Sequence, residues 1–198
     1  MNQRLIAGLL AFVPSLTLAH PGHGLTDQVL TNPTLASAYL GFMHPLTGLD
    51  HLLVMLAIGL WAVKLGGKAR WQLPVTFMVL MLVGAILGAQ GFAFVGLETA
   101  IAASVMAMGL LLVISLSIQP LLAMGMVAVF ALLHGAAHGA ELNISEGWAV
   151  LGGMLLATGL LHAVGLFIGT QRIALAKWAR TLLAWVMLIA GGAMLIAG

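Results

Sequence analysis

The chain has no cysteine and very little charge. Of its 198 residues, seven are Lys or Arg and five are Asp or Glu, so only 6% are charged, compared with about 25% in soluble domains. Without cysteine the protein has no disulfide, no thiolate metal site and no thiol nucleophile, which leaves His nitrogen, carboxylate oxygen and Met sulfur as metal ligands. The net charge of +2 gives no indication of a nucleic-acid-binding surface, and no nucleic-acid partner is expected.

Hydrophobic residues, by contrast, make up 62% of the sequence. This composition predicts a polytopic membrane protein with the lipid bilayer as its surroundings. Because lipid offers no partners for backbone N–H and C=O groups, the spans are expected to be helices. The predicted fold class is therefore all-α, with six transmembrane helices after a cleavable signal peptide.

The first nineteen residues have the pattern of a signal peptide. Arg4 precedes an apolar stretch over residues 5–13, and small residues lead to Ala19. That stretch is short for a hydrocarbon core of about 30 Å, although an uncleaved anchor is the alternative. Cleavage after Ala19 would leave His20 and His23 beside a free α-amine, where they could chelate a metal ion. A polar tail without a ligand role is the other interpretation.

Glycine, proline and polar residues divide the remaining chain into six apolar segments. The predicted spans are residues 37–64, 72–92, 97–118, 120–140, 147–170 and 176–197. The predicted organisation is a signal peptide (1–19), a periplasmic N-terminal segment (20–36) and a six-helix transmembrane domain (37–198).

Basic residues predict how these spans are oriented. They concentrate after the first span and around the loop after the fifth, at Lys64, Lys68, Arg70, Arg172, Lys177 and Arg180. Loops rich in Lys and Arg stay on the cytoplasmic side. We therefore expect a multi-pass protein of the bacterial inner membrane whose mature N- and C-termini are periplasmic.

Two short clusters of ionisable residues interrupt the apolar spans. The first comprises His44, Asp50 and His51, and the second comprises His134, His138 and Glu141. An Asp-like group at the centre of a membrane helix costs roughly 2.5–3.5 kcal/mol, so these clusters need a compensating partner. The predicted topology places both clusters toward the outer half of the membrane.

Helical spacing brings the members of each cluster to one face. His44 and His51 fall within about 20° of each other if the segment is a continuous helix, with Asp50 on the flank. The second cluster occupies positions i, i+4 and i+7, within about 40°. Pro45 and Gly48 could matter by distorting or starting the helix. Glu141 could instead mark only the end of its span.

A divalent metal ion is the partner that fits this chemistry best. Asp50 and Glu141 would contribute two negative charges, which one divalent cation would neutralise among neutral imidazoles. Nitrogen and oxygen donors favour Ni²⁺, Co²⁺ or Zn²⁺ over the all-oxygen sites of Mg²⁺ and Ca²⁺. His162, in the fifth span, is either a packing residue or a ligand nearer the inner half that lines an exit path. The predicted metal residues are His44, Asp50, His51, His134, His138, Glu141, His20, His23 and His162.

These motifs resemble the HupE/UreJ nickel and cobalt permeases. That family has a leader before His-Pro-Gly-His, a His-x5-Asp-His motif in its first span and an aromatic-His-Gly-x-Ala-x-Gly-x-Glu motif in its fourth. Here the first motif is read at His44, Asp50 and His51, and the second at His134, Gly135, Ala137, Gly139 and Glu141. Leu133 stands where the family usually has Phe, and His138 falls on a variable position.

The resemblance implies a permease and not an enzyme. The transported ion is Ni²⁺ or Co²⁺, and Zn²⁺ is left open. No tightly bound cofactor is implied. No Gly-x4-Gly-Lys-Ser/Thr nucleotide loop occurs in the sequence. Two alternatives remain at this point: an intramembrane zinc-dependent hydrolase, and a metal-binding accessory subunit without autonomous flux. Homo-oligomerisation is also left open.

Overall fold

The computed structural model describes residues 32–92, 95–141, 147–172 and 174–197, and within them it is entirely helical apart from turns. Seven helices follow one another in the described residues. They are α1 Pro33–Thr47, α2 Leu49–Leu65, α3 Ala69–Ala89, α4 Leu97–Val113, α5 Pro120–Glu141, α6 Gly147–Thr170 and α7 Ala174–Ala197. The predicted all-α class is therefore confirmed for this part of the chain.

Several helices are long and apolar enough to cross a membrane. Within the described ranges, four qualify singly, over Ala69–Ala89, Pro120–Ala140, Gly147–Thr170 and Lys177–Ala197. Together, α1 and α2 form a fifth candidate with a bend of 77°, whereas α4, at 17 residues, is shorter. Large apolar side chains cover the outside of these helices, as expected for a surface in contact with lipid. Exposed Trp71, Trp148 and Trp178 stand near helix starts, where interfacial aromatic residues are common.

The observed helices differ most from the prediction in the first span, which was expected over residues 37–64. Helix begins at Pro33, and the chain bends at Gly48, whose backbone is extended (φ −79°, ψ 114°). Pro45 lies buried just before the break. The Thr47 hydroxyl donates to carbonyls of the last turn of α1 at 3.1 Å, which helps to satisfy that helix end. A continuous helical face for His44 and His51 was therefore the wrong geometry, and the bend brings the two together in another way.

Helices pack in three groups that depend on glycine. Both α1 and α2 lie along α6, α3 lies along α5, and α4 lies along α7. A Cβ at Gly84 of α3 would meet the Leu132 carbonyl, and one at Gly135 of α5 would meet the Met81 carbonyl. Each glycine therefore allows the facing backbone to approach, which is how helices associate closely in membranes.

The predicted cytoplasmic basic residues gather at one end of the bundle. A cavity of about 450 Å³ there is lined by Lys64, Lys177 and Arg180, and an adjoining cavity of about 440 Å³ also includes Arg70 and Arg172. Arg180 Nη1 donates to three carbonyls near the end of α6 at 3.1–3.4 Å. Both basic loops thus share one end of the protein, as the rule for positively charged loops requires.

Candidate metal centre

Asp50 and His51 begin the cluster in the first turn of α2, just after the break. The His51 Nδ1–H donates to Asp50 Oδ1 at 2.8 Å, since a carboxylate can only accept. This bond fixes the proton on Nδ1 and leaves the lone pair of the His51 ring on Nε2. A carboxylate that orients a histidine in this way is a common companion of metal ligation. The first turn of a helix also favours the negative charge of Asp50.

His134 and His138 come from successive turns of α5, where both are buried. The His134 Nδ1–H donates to the Phe130 carbonyl at 2.8 Å, so its Nε2 also carries the lone pair. That Nε2 is buried and has no hydrogen-bond partner among the described residues. An unpaired buried polar group costs roughly 1–3 kcal/mol. A bound cation is one way to recover this cost.

His138 meets His51 across the gap between α5 and α2. Their Nε2 atoms lie 2.6 Å apart, and their ring centroids lie 4.4 Å apart. Two nitrogens that bind one ion at about 2.1 Å are about 3 Å apart in cis octahedral positions. These two rings therefore need to separate by only a few tenths of an ångström to hold an ion between them.

His44 completes the cluster from the last turn of α1. Its ring centroid is 4.6 Å from that of His138 and 5.4 Å from that of His51. The ligand atoms form two overlapping triads, each within 4.8 Å: His44, His51 and His138, and Asp50, His51 and His134. His51 belongs to both triads and is the centre of the arrangement, which we call the histidine cluster.

The helices around the histidine cluster leave it room. Along their described lengths, α2 and α5 are not close-packed neighbours, so the imidazoles bridge a space between them. The glycines of the α5 motif face α3 instead: a Cβ at Gly139 would meet the Ala85 carbonyl. These glycines therefore seat α5 on α3, and the same helix presents His134 and His138 toward α2. Four imidazoles and one carboxylate suit a transition-metal ion better than Mg²⁺ or Ca²⁺.

The other predicted ligands are placed differently. Glu141 is the last residue of α5, but its side chain lies outside the described residues. His20, His23 and the predicted signal peptide also lie outside them. His162 is buried in α6, away from the cluster. Its Nδ1–H donates to the Met55 carbonyl at 2.8 Å, and its Nε2 has no partner in the part of the chain that the structure describes.

One residue near the site was missed from the sequence. Phe77, fully buried in α3, places its ring 6.1 Å from that of His134 and 5.4 Å from that of His162. A phenylalanine within an apolar span carries no signal that distinguishes it from an ordinary core residue.

Comparison with known proteins identifies what the chain is similar to. The HupE / UreJ protein family matches residues 8–195. Protein HupE of Rhizobium leguminosarum bv. viciae is 38% identical over 187 residues, which cover 94% of this chain and 90% of the relative. No solved structure matches. Both segments that supply the histidine cluster lie within the matched regions.

Proposed function

The chain belongs to the HupE/UreJ family, and on this premise we propose that it is a permease that carries Ni²⁺ or Co²⁺ across the bacterial inner membrane into the cell. One observation carries the proposal: four imidazoles and a carboxylate converge within apolar helices, with ligand atoms of each triad inside 4.8 Å. Buried ionisable groups are costly in a membrane and mark ion pathways. The ion is substrate and not a resident cofactor.

The proposed topology has six spans. It counts α1 and α2 together as the first span and the shorter α4 as the third. The basic end faces the cytoplasm, so the histidine cluster lies in the periplasmic half of the membrane. The mature N- and C-termini are then periplasmic, after removal of the signal peptide.

The proposed uptake begins at the periplasmic face. His20 and His23 capture the hydrated ion, and the histidine cluster then exchanges its waters for nitrogen and oxygen donors. Glu141, the last residue of α5, supplies a second carboxylate. One divalent ion then balances Asp50 and Glu141, because the imidazoles bind as neutral groups. Release requires these donors to separate or to become protonated.

Two features favour transport over zinc-dependent hydrolysis. A hydrolase keeps an open metal position beside a substrate pocket, whereas here His51 Nε2 and His138 Nε2 are already 2.6 Å apart. The cavities of about 450 and 440 Å³ lie at the other end of α2. Membership of a family of metal transporters also favours transport over the accessory-subunit alternative.

The test is metal uptake into sealed proteoliposomes that contain the purified full-length protein. Initial rates are measured for Ni²⁺, Co²⁺ and Zn²⁺ with the native chain, Asp50→Asn and His134→Ala. Glu98→Gln is the matched control, because Glu98 is also in the first turn of a helix but is exposed. We expect saturable Ni²⁺ or Co²⁺ entry that Asp50→Asn and His134→Ala abolish and Glu98→Gln retains. Tight binding without entry would contradict the permease function.

A further inference from the structure

Among the described residues, two buried imidazole nitrogens lack hydrogen-bond partners, and the imidazole rings that carry them both lie near one aromatic ring. They are the Nε2 atoms of His134 and His162. The Phe77 ring lies close to both, tilted 59° to His134 and nearly perpendicular, at 81°, to His162. Only His134 belongs to the histidine cluster.

His162 has the same local arrangement as His134. Each donates Nδ1–H to a backbone carbonyl at 2.8 Å, His134 to Phe130 and His162 to Met55. A carbonyl can only accept, so both side chains hold the tautomer that leaves Nε2 as a lone-pair donor. A histidine kept only for packing would be expected to use both nitrogens. The hydrogen bond from His162 Nδ1–H to the backbone instead orients the ring so that the lone pair of Nε2 is available to a metal ion. Metal-bound histidines are commonly oriented by hydrogen bonds of this kind.

The position of His162 in the bundle connects the histidine cluster with the basic end. Close contact between α2 and α6 holds it there, because a Cβ at Gly59 would meet the His162 carbonyl. Gly169, which lines the cavity of about 450 Å³, is seven residues further along α6, or about 10 Å. Trp61, six residues beyond Met55 on α2, lines the same cavity. Along α2, His162 therefore lies between the histidine cluster and the cavity, and Phe77 is near both His134 and His162.

We propose that His162 is a second metal-binding station on the transport path, and that the Phe77 ring is the gate between this station and the histidine cluster. The inference rests on the proposed permease function. When the Phe77 ring turns aside, the ion leaves His134 Nε2 and reaches His162 Nε2. With the ring in its present position, the ion is confined to the cluster.

The number of groups that can bind a cation decreases along this path toward the basic end. The cluster offers four imidazoles and Asp50, whereas the second station offers one neutral imidazole. Beyond it, the cavity is lined by Lys64, Lys177 and Arg180, with no carboxylate among its described lining residues. A cation is therefore not held there, because the surrounding charge repels it. Binding becomes looser at each step, which favours release.

The experiment combines equilibrium Co²⁺ binding to the purified protein with Co²⁺ uptake by proteoliposomes. His162→Asn can keep a donor toward the Met55 carbonyl while it removes Nε2, and His162→Ala removes both. Leu160→Ala, on the exposed side of the same helix, is the control. We expect both His162 variants to bind Co²⁺ with affinity within about threefold of wild type and with an unchanged cobalt absorption spectrum, but to lose at least tenfold in initial uptake rate.

The gate is tested by changing the size of residue 77. Phe77→Leu is expected to raise the initial uptake rate at least twofold, and Phe77→Trp to lower it, with Co²⁺ affinity unchanged in both. Wild-type rates in either His162 variant, or equal rates in both Phe77 variants, would overturn the inference and leave the permease function standing. A wild-type protein that binds Co²⁺ without uptake would overturn both proposals.

Discussion

The two ends of α2 carry opposite chemistry. Its first turn holds Asp50 and His51, which belong to a cluster of neutral imidazoles and one carboxylate. Its last turn holds Lys64, which lines a basic cavity with Lys177 and Arg180. Asp50 and Lys64 are 14 residues apart in sequence, or about 21 Å along the helix. One helix therefore connects a place that can hold a cation with a place that cannot.

The difference also concerns packing. At the cluster end, imidazoles reach across a space between α2 and α5. Further along, Gly59 and Gly165 bring the backbones of α2 and α6 into contact around His162. Between the cluster and the basic cavity, the protein thus closes the space between α2 and α6 around His162. The following predictions test whether binding and passage belong to these separate regions.

Loss of His51 is expected to have the largest effect. His51 is shared by both ligand triads, and it is the partner of Asp50. His51→Ala should lower Co²⁺ affinity by at least roughly 100-fold, since loss of a partner behind a ligand already costs about 10–100-fold. Titration of purified protein with Co²⁺ measures this. Leu49→Ala, at an exposed neighbouring position, is the control, and equal affinities in the two variants would refute a shared ligand.

A methyl group at Gly139 should weaken the packing of α5 against α3, which positions the histidines of α5 in the cluster. Its Cβ would meet the Ala85 carbonyl of α3, a backbone group that cannot rotate away. Overpacking of this kind costs about 1–3 kcal/mol, so the melting temperature of Gly139→Ala in detergent should fall by several degrees. Gly125→Ala is the control on the same helix, because open space surrounds Gly125. The packing explanation fails if the two variants melt together.

The helices and the identity of the cluster residues were largely predictable from the sequence, for a physical reason. Apolar runs in lipid must be helical, and punctuating residues end them, so that the predicted fifth span, 147–170, coincides with α6. The residue types of the cluster also stood out, since His44, His51 and His134 are polar groups in apolar surroundings. Their exceptional position was visible without any structure.

The bend and the gate could not be predicted in the same way. Pro45 and Gly48 indicated distortion, but the 77° bend also depends on how α1 and α2 each fit against α6. Phe77 is one apolar residue among many, and its importance depends on neighbours from α5 and α6. Both features depend on packing between helices that are distant in sequence, and a local sequence pattern does not predict such packing.

A substitution at Gly48 tests whether Co²⁺ binding depends on the exact position of the Asp50–His51 pair. A Cβ there would lie 3.0 Å from His51 Nδ1 and 3.3 Å from Asp50 Oδ1, so the pair would have to shift by a few tenths of an ångström. Alanine tolerates the φ and ψ of this position. The effect should therefore come from contact with the pair, with Co²⁺ affinity lowered by about tenfold. Gly152→Ala, in open space on α6, is the control; native affinity in Gly48→Ala would contradict this placement.

Lys64→Gln should produce the smallest effect, and only at the basic end. Lys64 is exposed and about 21 Å from the cluster, which exceeds the Debye length of about 10 Å at 0.1 M salt. Cobalt affinity should not change. Less repulsion at the cavity should raise the initial uptake rate by up to about twofold at low salt, and high salt should remove the difference. Lys68→Gln removes the same charge from the next loop without touching the described cavity lining. An equal response in Lys68→Gln would assign the effect to net charge, whereas a response confined to Lys64→Gln assigns it to the cavity and separates release from binding.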